Sequence, residues 1–193
     1  MKETQELLLD TAAELFAKHG YAGVSMRDIA GAVGITQAAI YHHFNNKDAL
    51  YVAAVTWLFE KSTLGVGEQM AAITNPEKRL ELLIATMLQA MEEDPRFRLI
   101  YMRELLESDE RKLAAIAESA FAAFYEPLNE LMLELAPNKD AQLLIFSLAG
   151  MLFHHLEARK IAPYLPHASA GNPDTSFLAR HISDLFLYGV KQP

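Results

Sequence analysis

The chain has 193 residues and no cysteine. A disulfide framework and any thiolate metal site are therefore excluded, and a reducing cytoplasm is the natural setting. Long uncharged apolar runs are also missing. The longest, residues 141–156, carries Gln142, His154 and His155 and falls short of the roughly 20 residues that span a bilayer. It reads as a buried helix, and no membrane association is expected. The 9 glycines and 8 prolines form no low-complexity tract, and no segment repeats at a fixed period. The opening Met-Lys-Glu-Thr-Gln-Glu holds acids where a secretory leader holds bases, so no leader is expected. An excess of positive charge is absent too: 17 Lys and Arg stand against 25 Asp and Glu, for a net charge of −8. Lys2, Lys18, Arg27 and Lys47 are outnumbered within the first 50 residues by Glu3, Glu6, Asp10, Glu14, Asp28 and Asp48. Phosphate contacts need local positive potential. Any nucleic-acid partner must therefore be held by focused contacts rather than by a diffuse basic face.

What the chain does have is apolar residues, 51% of the total and ample for a core, spaced almost everywhere with helical periodicity. An all-α fold of about nine helices is predicted. The first covers residues 2–19, with Leu8, Ala12, Leu15 and Phe16 on one face and Gly20 at the C-cap. Ser25-Met-Arg-Asp28 resembles a capping box and opens a second, which Gly34 closes. Thr36 is a good N-cap for a third over 37–44, and Asn46 for a fourth from Lys47 whose end Gly65 and Gly67 loosen. Later helices are predicted over 76–94, from Pro95, over 109–135 with a kink at Pro127, over 139–160 and over 174–190, with a loop at 163–173. Three short helices within fifty residues, the second and third joined by a four-residue turn, describe a helix-turn-helix unit.

Residues 24–50, Val-Ser-Met-Arg-Asp-Ile-Ala-Gly-Ala-Val-Gly-Ile-Thr-Gln-Ala-Ala-Ile-Tyr-His-His-Phe-Asn-Asn-Lys-Asp-Ala-Leu, resemble the DNA-binding signature of the TetR family of bacterial repressors. Turn, recognition helix and the Tyr-His-His-Phe-Asn-Asn-Lys exit match in order, and the likeness covers the first sixty or so residues. Beyond them it is one of architecture only. The resemblance implies a DNA-binding domain over 1–62 and an effector-binding and dimerisation domain over 63–193. It also implies a cytoplasmic homodimer on a palindromic double-stranded operator, with a small, largely apolar effector that releases the repressor.

The chemistry of the motif agrees. A recognition helix enters the major groove with its N-terminal residues toward base edges, and Thr36, Gln37 and Ala38 occupy that end. The Gln37 amide can pair bidentately with adenine, and Ala38 can touch a thymine methyl. Tyr41, His42 and His43 lie within reach of phosphates, as do Ser25 and Arg27. Lys47 sits at a helix N-terminus, where charge and backbone N–H groups both favour a phosphate. Ile29, Val33, Ile35, Ile40 and Phe44 are left for the small domain's core.

The resemblance further implies that the last two long helices pair across a two-fold axis. Leu144, Leu148, Met151, Leu152 and His155, with Phe177, Ile182, Leu185 and Phe186, are the apolar ridges expected there. The effector cavity is expected among the fifth to eighth helices. Its candidate lining is Met87, Phe97, Tyr101, Met102, Leu105, Phe121, Phe124, Tyr125 and His154, with Glu104, Glu118 or His155 available to orient a polar group. No nucleophile–base pair, phosphate loop or metal cluster is evident, so no enzyme activity, cofactor or metal is expected. His154 and Glu157, three residues apart, have no third ligand beside them. The alternative to an effector is recruitment of a protein partner, which a filled core with an exposed apolar patch would favour.

Overall fold

The computed structural model describes residues 2–107, 110–166 and 174–191, and all regular structure among them is helical. Two compact units emerge, one from Met1–Ser62 with Asp94–Ala122, the other from Thr63–Glu93 with Ala123–Pro193. The first unit thus joins the N-terminal residues with a later stretch of the chain.

In the first unit, α1 (Lys2–His19) buries Leu8, Ala12 and Phe16 against α4 (Lys47–Ser62). The backbone N–H of Gly20, at φ 73°, donates to the Phe16 carbonyl and closes the helix. α2 (Met26–Val33) starts on a complete capping box: the Ser25 hydroxyl accepts from Asp28 N–H at 3.2 Å, and the Asp28 carboxylate accepts from Ser25 N–H at 2.8 Å. The Ser25 hydroxyl, which also donates to Asp28 Oδ2, and after it the Ser25 N–H hold the Asp28 carboxyl below its ordinary pKa. α3 (Gln37–Tyr41) is shorter than the predicted 37–44, because the chain turns at His42 and His43 and then sends Phe44 back into the core. Ile29 and Ile40 are fully buried with it, whereas Val33 and Ile35 are only half-buried. Asn46 caps α4 through a 2.8 Å bond from Ala49 N–H.

α7 (Arg96–Glu107) packs on α1 and α4, and α8 (Glu110–Ile116) leads into a π-helical turn, Ala117–Phe121. The predicted start at 109 lies outside the described residues. Arg96 ties the unit together: its guanidinium grips both oxygens of Asp94 and donates to Asp10 Oδ1 at 2.9 Å. The hydrogen bond from Arg96 holds the Asp94 carboxyl below its ordinary 3.8. A depressed carboxylate adds stability above its unfolded pKa and loses it as pH falls through the folded one. In Arg96→Gln that gain is gone. The stability gap between wild type and variant, followed by urea melts, is accordingly full above about pH 4 and narrows below it. A gap constant down to pH 2 would contradict the assignment.

The second unit is built on α6 (Pro76–Glu93), whose Leu80, Leu83, Ile84, Met87, Leu88 and Met91 are buried. It packs against α10 (Ala141–Ala158) and α11 (Thr175–Lys191). Asn75, Asp140 and Asp174 cap these three helices in turn, accepting from Lys78, Leu143 and Phe177 N–H. Arg79 pairs with Glu134 on α9 (Ala122–Leu135), and Arg159 with Glu92 at 2.8 Å. Pro127 lies inside α9, which continues past it. The short α5 (Val66–Ala71), absent from the prediction, exists because Gly65 takes φ 75° and lets the chain break and restart. Of the predicted loop, 163–166 follows a 3-10 turn, Ala162–Tyr164, and 167–173 lies outside the described residues.

Candidate nucleic-acid interface and ligand cavity

The turn between α2 and α3 rests on Gly34. At φ 79° it is left-handed, and its N–H and that of Ile35 both donate to the Ala30 carbonyl at 3.0 Å. A Cβ there would meet nothing within 4 Å, so the requirement is conformational alone. Gly34→Ala should cost about 1–2 kcal/mol in a denaturant melt. A loss no larger than that of Gly31→Ala, within α2, would show the turn to be unstrained.

Thr36 caps α3, accepting from Ala39 N–H at 3.2 Å. Gln37, Ala38 and Tyr41 stand exposed beyond it, the Tyr41 ring at 50%. An open groove of about 480 Å³ gathers Ser25, Arg27, Gln37, Tyr41 and Lys47, with Asp28 among its walls. Five residues anticipated to face DNA therefore line one depression. His42 and His43 are exposed outside it, at the end of α3. The Ser25 hydroxyl donates to Asp28 Oδ2 at 2.6 Å, so its proton is already engaged.

Tyr21, between α1 and α2, carries no motif that would single it out, yet it organises one wall. Its hydroxyl donates to Asp48, and Lys47 Nζ lies 4.0 Å from its ring centroid. Lys112 Nζ, from α8, lies 3.9 Å from the same centroid. Burial, and to a lesser degree Lys112, hold the Lys47 ammonium below its ordinary pKa.

A second hollow in the same unit, of about 210 Å³, is lined by Val55, Phe97, Ile100, Tyr101, Glu104, Leu105, Leu113, Ile116, Ala117 and Phe121. Of the nine residues anticipated for an effector, Phe97, Tyr101, Leu105 and Phe121 are here. Met102, on α7, is half-buried but not in the lining. Met87, Phe124, Tyr125 and His154 belong to the second unit, where Met87 fills the α6 core and His154 is exposed. Glu118 is exposed on the π turn, and His155 stacks edge-on against His181 at 5.7 Å. The π turn, which no periodicity signals, contributes Ala117 and Phe121 to the lining. Burial raises the Tyr101 phenol above its ordinary pKa.

The anticipated ridges of α10 and α11 need correction. Leu148, Leu152, Ile182 and Phe186 are buried within their own chain and so form no outer face. Leu144, Met151 and His155 are half-buried, while Phe177 and Leu185 are exposed. Exposed apolar neighbours missed by the pattern are Leu143, Phe146 and Tyr188. Leu143, Phe146, Gly150 and His154 follow the three- and four-residue spacing of a single helical stripe. By length and composition alone α10 could cross a membrane, at mean hydropathy 1.2 over 18 residues. In the fold its inner face is spent on α6 and α11.

Comparison with known proteins agrees with the helix pair. The family model for bacterial regulatory proteins, tetR family, matches residues 8–54. The HTH-type transcriptional repressor KstR2 of Rhodococcus jostii (strain RHA1) is 32% identical over 98 residues, 51% of this chain and 48% of the relative. The chain thus spans about half the length of the curated relatives it matches. Among solved structures, the fatty acid degradation regulator FadR from Bacillus halodurans superposes with a TM-score of 0.79 at 21% identity, covering 98% of this chain and 97% of that one. AibR, solved in complex with isovaleryl coenzyme A and operator DNA, superposes at 0.71 with 23% identity, over 94% and 97% of the two chains. At these identities the solved structures establish the fold. Motif, turn geometry and family match fall on the same residues, and over 8–54 the chain is similar to the bacterial regulatory proteins of the tetR family.

Proposed function

We propose that the chain is a sequence-specific, DNA-binding transcriptional regulator: a cytoplasmic repressor that leaves its operator when a small, largely apolar effector binds. The observation that carries this reading is the groove beside α3, where Gln37 can read a base edge while Arg27, Tyr41 and Lys47 stand ready for phosphates. In this reading residues 1–62 are the DNA-binding domain and 63–193 supply the effector site and the dimer contact. Thr36, Ala38, His42, His43 and the Ser25 backbone complete the DNA surface.

The effector site is the hollow bounded by Phe97, Tyr101, Glu104 and Phe121. Such a cavity suits a small molecule better than a protein partner. AibR, of the same fold, was captured with both an acyl coenzyme A and operator DNA. Because the hollow shares a compact unit with the helix-turn-helix, an effector that prefers one arrangement of α4, α7 and α8 lowers DNA affinity by its differential affinity for the two states.

The exposed stripe of Leu143, Phe146, Phe177 and Tyr188 is assigned to a second copy of the chain, because an operator read by so small a recognition helix needs two half-sites. Selection from a random duplex library tests the reading. The expected product is an inverted repeat with half-sites one helical turn, or a multiple of it, apart. Recovery of duplexes without a shared sequence would reject it.

A further inference from the structure

Glu104 is 4% exposed and lines the 210 Å³ hollow. Its two oxygens are treated differently. Oε1 accepts from the Tyr51 hydroxyl at 2.7 Å and lies 3.9 Å from Lys112 Nζ. Oε2 is buried and accepts no hydrogen bond among the described residues. A buried acceptor without a donor carries a desolvation cost that a partner would remove. Lys112 already supplies the countercharge. What Oε2 lacks is a donor, not a second cation.

The rest of the lining is apolar apart from the Tyr101 hydroxyl. Phe97, Tyr101 and Phe121 surround it, with ring centroids 6.0–6.3 Å apart. Its volume exceeds the roughly 150 Å³ that accepts benzene in an engineered apolar cavity, leaving room for one ring and a few further atoms. A coenzyme A thioester does not fit within it. An ionised acid would set its charge against Glu104.

We propose that this hollow binds a compact, single-ring aromatic molecule bearing a neutral hydroxyl, whose O–H donates to Glu104 Oε2. The proposal rests on reading the hollow as the effector site and names the class of its ligand. Glu104 is also well placed to report occupancy. Through Oε1 it holds Tyr51 of α4, four residues beyond Lys47, and Lys112, which shares the Tyr21 ring with Lys47. A ligand that pulls on the carboxylate acts on groups that set the wall of the DNA groove.

Four probes with one ring and different heads separate the possibilities: p-cresol, toluene, p-toluate and p-methylbenzylamine, each titrated calorimetrically into the full chain. Expected is p-cresol bound at least about tenfold more tightly than toluene, as a hydrogen bond to a charged acceptor allows, with the acid and the amine weaker than p-cresol. In Glu104→Gln the hydrogen bond from Tyr51 keeps the amide oxygen, so an NH2 donor faces the hollow and the preference for p-cresol collapses. Leu113→Phe, which adds a ring to the lining and leaves Glu104 native, should abolish binding of both neutral probes. Toluene binding as tightly as p-cresol, or either charged probe binding more tightly, would overturn the ligand class while leaving the hollow a ligand site. No binding by any probe, or binding indifferent to Leu113→Phe in a variant with wild-type circular dichroism, would overturn the hollow itself as an effector site.

Discussion

Gln37→Ala should weaken binding to the selected operator by roughly 30-fold to 10⁴-fold, with the fold untouched. Gln37 is exposed at the first position of α3, so its truncation opens no core. A bidentate amide–adenine pair contributes about 1–3 kcal/mol of discrimination, and a two-fold complex loses it in both half-sites. Phosphate contacts from Arg27 and Lys47 remain, so affinity for unrelated duplex DNA and the salt dependence of binding should change little. Fluorescence anisotropy against operator and unrelated duplexes reads both. An equal loss on the two duplexes would mean that Gln37 supports the surface without reading sequence.

Phe146→Arg combined with Phe177→Arg should leave a folded monomer that no longer holds its operator. The two rings are 57% and 55% exposed in the single chain, so the substitutions spare the protomer core. Two guanidinium groups in the centre of an apolar contact would be buried without partners and would repel their symmetry mates. Sedimentation should then give the 21.6 kDa of one chain. Losing the second half-site removes an avidity gain of roughly 10²–10⁴, which sets the expected fall in operator affinity. A dimer that survives both charges would move the interface off this stripe. Retention of tight operator binding by a monomer would remove the need for the dimer altogether.

The parts of the molecule legible in the sequence are those settled by neighbours in the chain. Ser25, Thr36 and Asn46 act within three residues of themselves, and their capping bonds fall where the residue types predicted. Gly34 likewise needs only its own backbone conformation. The end of α3 was less legible, because what stops it at Tyr41 is the burial of Phe44, a tertiary demand that helix propensity does not register. The apolar ridges failed for a related reason. α10 is apolar nearly all round, so its composition cannot say that Leu148 and Leu152 face inward while Phe146 faces out. Only the packing on α6 and α11 decides that. The hollow was hardest to foresee. Its walls come from α4, α7, α8 and a π turn, and the joining of Val55 to residues 97–121 depends on a chain segment returning to the N-terminal unit. Glu104, an ordinary acid in the sequence, becomes distinctive through a hydrogen bond from Tyr51, 53 positions earlier.

The most direct test of a regulator that reads sequence through α3 is the ratio of two affinities at one fixed salt concentration. Wild-type protein is titrated against the selected inverted repeat and against a scrambled duplex of equal length and composition. The account predicts a ratio of at least about 10³, the lower end for specific DNA-binding proteins. A ratio near one, with both duplexes bound through phosphates alone, would contradict it.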